Sequence, residues 1–302
     1  MVRTARDLFD HEFLRSLAAL RILARRVPAG GRLAEQPSAA RGAGAEFTDV
    51  RPYVPGDDLR TIDWNLLLRF DRAFVRLFLH EEDLPVHLLI DHSRSMGAPY
   101  VGRADLPDKL TTALRAAAAL AFVATEHLDR VDVTGFDERL REARKPGPGN
   151  AGFHALLAWL AQWQSSESTD LVRALRQFAS RRMRRGLLIV VSDFLDPAGA
   201  AAVLDALRAI EHSLLLVHVA HPGEERPELH GELELEDSET GERVPVFVDD
   251  ATLDRHAAAY REHFDAIAAI AKQRRGRFLR VFTDRPIAPQ IASAFELGVL
   301  TV

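Results

Sequence analysis

The chain is predicted to be an α/β protein built on a doubly wound, mainly parallel sheet. Two observations predict it. From residue 86 onward, short apolar runs alternate with longer segments of three-four apolar spacing, the pattern of strands joined by crossover helices. Two of those runs, Leu88-Leu89-Ile90-Asp91 and Leu187-Leu188-Ile189-Val190-Val191-Ser192-Asp193, are apolar without alternation, as strands covered on both faces are, and both end in Asp.

Taken in order, residues 7–26 place Phe9, Phe13, Leu14, Leu17, Leu20, Leu23 and Ala24 on one stripe, which predicts an amphipathic helix lying on the main body. Residues 28–45 are rich in Gly, Ala, Arg and Pro without periodicity and read as an irregular loop. Residues 46–82 alternate short extended pieces around the turn Val54-Pro55-Gly56-Asp57, and a strand is expected over 73–79. The core strand follows at 86–90. Then come a helix over 106–127, a strand over 131–136, helices over 153–163 and 171–183, a strand over 187–192, a helix over 200–210, a strand over 213–219, a helix over 251–273 and a strand over 278–282. The basic run Arg181-Arg182-Met183-Arg184-Arg185 closes a helix, where cations meet the negative end of the helix dipole.

One insertion breaks the alternation. Residues 228–250 alternate apolar and polar positions around Glu239-Thr240-Gly241-Glu242, a hairpin signature. Eleven acidic residues between Glu224 and Asp250, against Arg226 and Arg243, make it an anionic edge that resists pairing with another strand. The expected division is a helix and short β segment at 1–82, then the α/β domain at 83–302 carrying the hairpin.

Composition narrows the functional classes. A hydrophobic share of 47% with 27% charged residues suits a soluble globular protein, and a net charge of −5 gives no general attraction for nucleic acid or anionic membrane. The absence of Cys removes disulfides, thiolate catalysis and most zinc arrangements. No run approaches the roughly 20 apolar residues of a membrane span, so the default expectation is a cytoplasmic protein without stable membrane insertion.

The chemistry concentrates where the two strands end. Asp91 is followed by hydroxyls at alternate positions, Ser93 and Ser95; Thr169 precedes a helical pattern; Asp193 closes the second strand. Oxygen donors of this kind suit a hard divalent cation, Mg2+ or Mn2+, rather than zinc. In isolation, Asp91 and Ser93 also read as ordinary caps of the following helix.

These five residues resemble the metal-ion-dependent adhesion site of von Willebrand factor type A domains. Upstream, the run from Glu46 to Trp64 (EFTDVRPYVPGDDLRTIDW) resembles the signature of domain-of-unknown-function family 58. The resemblance covers roughly residues 30 to 285. It implies a von Willebrand factor A-like fold, hydroxyl ligation by Ser93, Ser95 and Thr169, and aspartates that act partly through water. It further implies a protein partner that supplies an acidic residue to the metal, and association with a MoxR-type AAA+ ATPase, with no established catalysis. In the upstream segment, Arg51, Asp57, Asp58, Arg60, Asp63, Arg69 and Asp71 are expected to form an ion-pair network anchored by Trp64; the alternative use of the same groups is a docking surface.

The expected function is therefore a metal-dependent protein-binding module. The alternative is a magnesium-dependent, phosphatase-like hydrolase using Asp91; against it, Ser93 stands where aspartate-based phosphoryl transfer usually has a second Asp. No catalytic residue is assigned. The twelve His residues lack His-Glu-x-x-His spacing, no Gly-rich phosphate loop ends in Lys-Ser/Thr, and no Gly-x-Ser-x-Gly elbow occurs. His11, His92, His127, His154, His218, His256 and His263 are read as surface or hydrogen-bonded positions.

Overall fold

The structure is a computed structural model that describes residues 8–26, 46–57, 59–79, 85–100, 103, 105–126, 130–147, 149–166, 169–238, 241–274 and 276–296. The expected loop at 28–45, His127 and Asp58 lie outside these residues. Two compact units are present, one formed by Met1–Leu33 with Leu84–Val302 and the other by Ala34–Asp83.

The larger unit holds five parallel strands: β3 (Pro85–Asp91), β4 (Arg130–Phe136), β5 (Leu187–Ser192), β6 (Ser213–Ala220) and β9 (Arg277–Phe282), in the order β4-β3-β5-β6-β9. The central strands are almost wholly apolar, with His87 and His218 as buried exceptions, because helices cover both faces. Leu88 and Ile90 of β3 point into a layer with α1 (His11–Arg26), α4 (Lys109–Glu126), α5 (Gly149–Leu160) and α9 (Ile287–Glu296). Leu89 points the other way, toward α6 (Leu171–Ser180), α7 (Ala200–Arg208) and α8 (Asp250–Gln273). Full burial of each such side chain contributes about 1.5–3 kcal/mol. The sheet is doubly wound, as expected.

Helix α4 is apolar on nearly every side because it is covered by helices as well as by the sheet; Ala116 to Ala119 are all fully buried. Arg115 at its outer side donates from Nε to the Leu8 carbonyl (2.7 Å) and pairs with Asp10 (2.9 Å). The N-terminal helix thus belongs to the α/β unit, whereas the expected division grouped it with residues up to 82. The expected end of that segment nearly coincides with the end of the small unit at Asp83.

Strands β7 (Gly231–Glu236) and β8 (Arg243–Val248) form the antiparallel hairpin, with Leu235 facing Val244 in the register and Glu232 facing Phe247. Helix α6 ends at Ser180, immediately before the basic run, and Arg185 of that run pairs with Glu211. The C-terminal helix α9 is an addition to the expected elements. Among the described residues, no helix is long and apolar enough to cross a membrane.

The small unit pairs β1 (Glu46–Pro52) with β2 (Phe74–Leu79), antiparallel, around a 3-10 turn at Leu59–Thr61 and the short α2 (Trp64–Phe70). Arg51 grips Asp57 with two hydrogen bonds (2.7 and 2.6 Å), and Asp57 also accepts the Val54 N–H, closing the expected turn. The other acidic groups have different roles. Asp63 caps α2 by accepting the Asn65 and Leu66 N–H groups, and Asp71 ends it in the left-handed conformation. Trp64 is not the apolar anchor: it stands 59% exposed on a helix with no buried residue, and the buried pair is Ile62 with Val75. Arg60 lies in the 3-10 turn and Arg69 in the last turn of α2.

Candidate functional site

In the strand order β4-β3-β5-β6-β9 the winding direction reverses between β3 and β5, where the connections from the two strand ends diverge to opposite faces. Such a switch point leaves a crevice beyond the carboxyl ends of the strands, the usual ligand position in open α/β sheets. Asp91 closes β3 and Asp193 follows β5, so the two carboxylates flank that crevice.

Asp91 is 1% exposed. Its Oδ1 accepts the Ser93 N–H (2.9 Å) and its Oδ2 accepts the Ser192 hydroxyl (2.6 Å), which itself accepts the Phe194 N–H (2.9 Å). Burial, and next the charge of Asp193, push the Asp91 carboxyl up to about 7. A buried carboxylate whose ionisation is opposed by a second carboxylate favours a cation nearby.

The hydroxyls take positions that helix capping does not explain. Ser93 stands at the N-cap of the one-turn α3 (Arg94–Gly97) but makes no cap bond. Its Oγ lies 3.1 Å from Ser95 Oγ instead. Thr169 precedes α6, whose cap is Asp170, accepting the Arg173 N–H at 2.7 Å. Thr169 Oγ1 is consequently buried with no hydrogen-bond partner. A buried hydroxyl left this way costs about 1–3 kcal/mol unless a ligand satisfies it.

Thr169 is brought to the crevice by three bonds around it. The Ser166 N–H donates to the His92 carbonyl (2.7 Å), the Asp170 N–H to the Asp137 carbonyl (3.1 Å), and the Val172 N–H to Asp196 Oδ2 (3.2 Å). These tie the segment to the ends of β3, β4 and β5 respectively. Gly135 in β4 permits the approach, since a Cβ there would lie 2.6 Å from the Trp163 ring and 3.1 Å from His92. Gly135→Ala is expected to destabilise the protein by about 1–3 kcal/mol, read from the urea midpoint; an unchanged midpoint would show that the Trp163 loop is free to move away.

Sequence reasoning missed Lys109, Glu224 and Ser192 as members of this cluster. Lys109, the first residue of α4, sits 3.1 Å from Asp193 Oδ2 and 2.9 Å from Glu224 Oε1. Burial lowers its pKa, but the carboxylates of Asp193 and Glu224 more than offset that and raise it above the ordinary lysine range. A signal was present: Lys is out of place at the positive end of an apolar helix. Asp193 Oδ1 accepts the Leu195 N–H at 3.1 Å.

The donor set fits a hard divalent cation, with Asp91 and Asp193 supplying charge and Ser93, Ser95 and Thr169 supplying hydroxyls. Among the described residues, no three His, Cys, Asp or Glu side chains group as metal ligands, so a cation here would rely on hydroxyls and water as well as the two aspartates. Of three of the histidines read as surface or hydrogen-bonded, His218 differs from expectation, whereas His256 and His263 agree with it. His218 is fully buried, stacked on Phe264 at 3.8 Å, with neither ring nitrogen hydrogen-bonded. His256 Nε2 and His263 Nε2 lie within hydrogen-bond distance of the Glu224 and Phe194 carbonyls.

A family model described as protein of unknown function DUF58 matches residues 49–273. Uncharacterized proteins of Mycobacterium tuberculosis and Mycobacterium bovis are each 28% identical over 250 residues, covering 81% of this chain and 76% of theirs. Among solved structures, the conserved hypothetical protein BatB of Bacteroides thetaiotaomicron is similar with a TM-score of 0.41 at 17% identity, over 71% of this chain and 98% of that one. An aerotolerance-related membrane protein of Bacteroides fragilis matches with a TM-score of 0.42 at 17% identity, over 72% and 98%.

Proposed function

This chain belongs to DUF58, a family of proteins of unknown function, and within it we propose a metal-dependent protein-binding role centred on Asp91, Ser93, Ser95, Thr169 and Asp193. The observation that carries the proposal is the buried, unpartnered Thr169 Oγ1, on a segment tied to the strand ends that carry Asp91 and Asp193, with the Asp193 charge opposing ionisation of Asp91. Magnesium or manganese held there mainly by hydroxyls and waters keeps a coordination position for an incoming carboxylate. The partner is a protein that presents an acidic residue. By analogy with the family, that protein is a MoxR-type AAA+ ATPase or its client. Asp91, buried and hydrogen-bonded at both oxygens, supports binding over use of that residue as a nucleophile.

Calorimetry with MgCl2 or MnCl2 tests the reading: one binding event is expected, and none at millimolar metal would overturn it. Thr169→Ala separates ligation from structure. It should weaken metal binding about 5- to 30-fold, equivalent to about 1–2 kcal/mol, while leaving the metal-free stability unchanged or slightly higher, because it removes an unsatisfied hydroxyl. Loss of stability in chelator would instead make Thr169 a packing residue. Retention of the partner by wild type but not by wild type in chelator completes the test.

A further inference from the structure

Lys109 is an odd residue for its place. The N–H groups at a helix N-terminus disfavour a cation, and burial removes the water that would hydrate it. The residue is nevertheless only 7% exposed. It touches one carboxylate of the switch-point crevice, Asp193, and one outside it, Glu224, which lies in the stretch between β6 and β7.

Charge explains the arrangement. Asp91, Asp193 and Glu224 carry three negative charges when ionised, and Lys109 returns one, leaving the cluster short by the charge of one divalent ion. We propose that Lys109 is a resident cation that holds Asp193 in the metal-free protein and hands itself over to Glu224 when a divalent ion binds. This rests on the metal reading above and adds to it how the site is regulated. A divalent ion and an ammonium drawing on the same Asp193 carboxylate repel one another at short range in a poorly hydrated site. The ammonium already contacts Glu224 at 2.9 Å, so it gives up Asp193 without losing its only counter-charge. Metal occupancy is thereby transmitted to residues 221–230, the stretch that leads into the acidic hairpin.

The test is magnesium affinity at pH 8 by calorimetry on the full chain, with MgCl2 alone as the probe. Lys109→Met is expected to bind tenfold or more tightly, since the competing charge is gone. Glu224→Gln is expected to bind several-fold more weakly, since the ammonium is left with Asp193 as its main partner. The opposite signs are the signature, and Glu224→Gln decides alone if Lys109→Met does not fold. Hydrogen exchange of residues 221–230 should change on adding magnesium to wild type. Wild-type magnesium binding with unaltered affinity in the folded variants, or weaker binding by Lys109→Met, would overturn the inference and leave the metal reading standing. No binding by wild type or either variant would overturn the metal reading, and this inference with it.

Discussion

Asp91→Asn is expected to stabilise the metal-free protein at pH 8 by about 1–3 kcal/mol while abolishing its binding of divalent cations. The carboxyl of Asp91 is raised from 3.8 to about 7, first by burial and then by Asp193. Between about pH 4 and 7 the native state therefore binds more protons than the unfolded chain. The stability linked to that extra proton is fully present below about pH 4 and is lost as the pH rises through 7. At pH 8 the ionised group opposes folding by up to about 4 kcal/mol, since each tenfold change in proton affinity corresponds to about 1.4 kcal/mol. Asn removes the charge, keeps an oxygen for the Ser93 N–H and stays close in shape. The measurement is urea unfolding in chelator, paired with calorimetry in MgCl2. A destabilised Asp91→Asn protein at pH 8 would sink the view of Asp91 as a carboxylate kept for function at the expense of stability.

Acid should reveal an opposite dependence in the same variant. His212 and His221 are each lowered to about 4 by burial first, then by neighbouring cations: His87 and Arg185 for the former, Lys109 for the latter. His218 lies well below its ordinary value, again by burial. The unfolded chain, with histidines near 6.5, binds more protons than the native state from about pH 6.5 down to 4. Stability is lost as the pH falls through that window, by about 1–2 kcal/mol per histidine at pH 5 once solvent screening is allowed for. In wild type the Asp91 contribution runs the other way over much of this range and flattens the curve. Asp91→Asn should therefore lose stability steeply between pH 7 and 5 while wild type changes less. Equal pH profiles for the two proteins would contradict the assignment of opposing groups.

The candidate site was legible in the sequence because its oxygen-bearing residues sit at strand ends and a helix start, positions that local periodicity marks. Asp91 and Asp193 end unbroken apolar runs, and Thr169 precedes a strongly amphipathic helix. Lys109 and Glu224 were not legible as partners, since 115 positions separate them and nothing local ties the unusual lysine to a particular carboxylate. Trp64 misled for a related reason. A large apolar residue in a charged segment suggests an anchor, but α2 is too short to reach a core, and the β-branched pair Ile62 and Val75 took that role.

By itself the sequence determined the alternation of strands and helices, the doubly wound class, the acidic hairpin and the residues of the candidate site. These depend on periodicity and residue type, which act over a few residues. Only the tertiary structure decided the strand order that puts Asp91 and Asp193 at the winding reversal, the three bonds that bring Thr169 to the same edge, and the placement of the N-terminal helix on α4. It also decided that an ammonium bridges Asp193 to Glu224. Those outcomes depend on which distant surfaces pack together, and a charge acquires its partner only after that packing has excluded water.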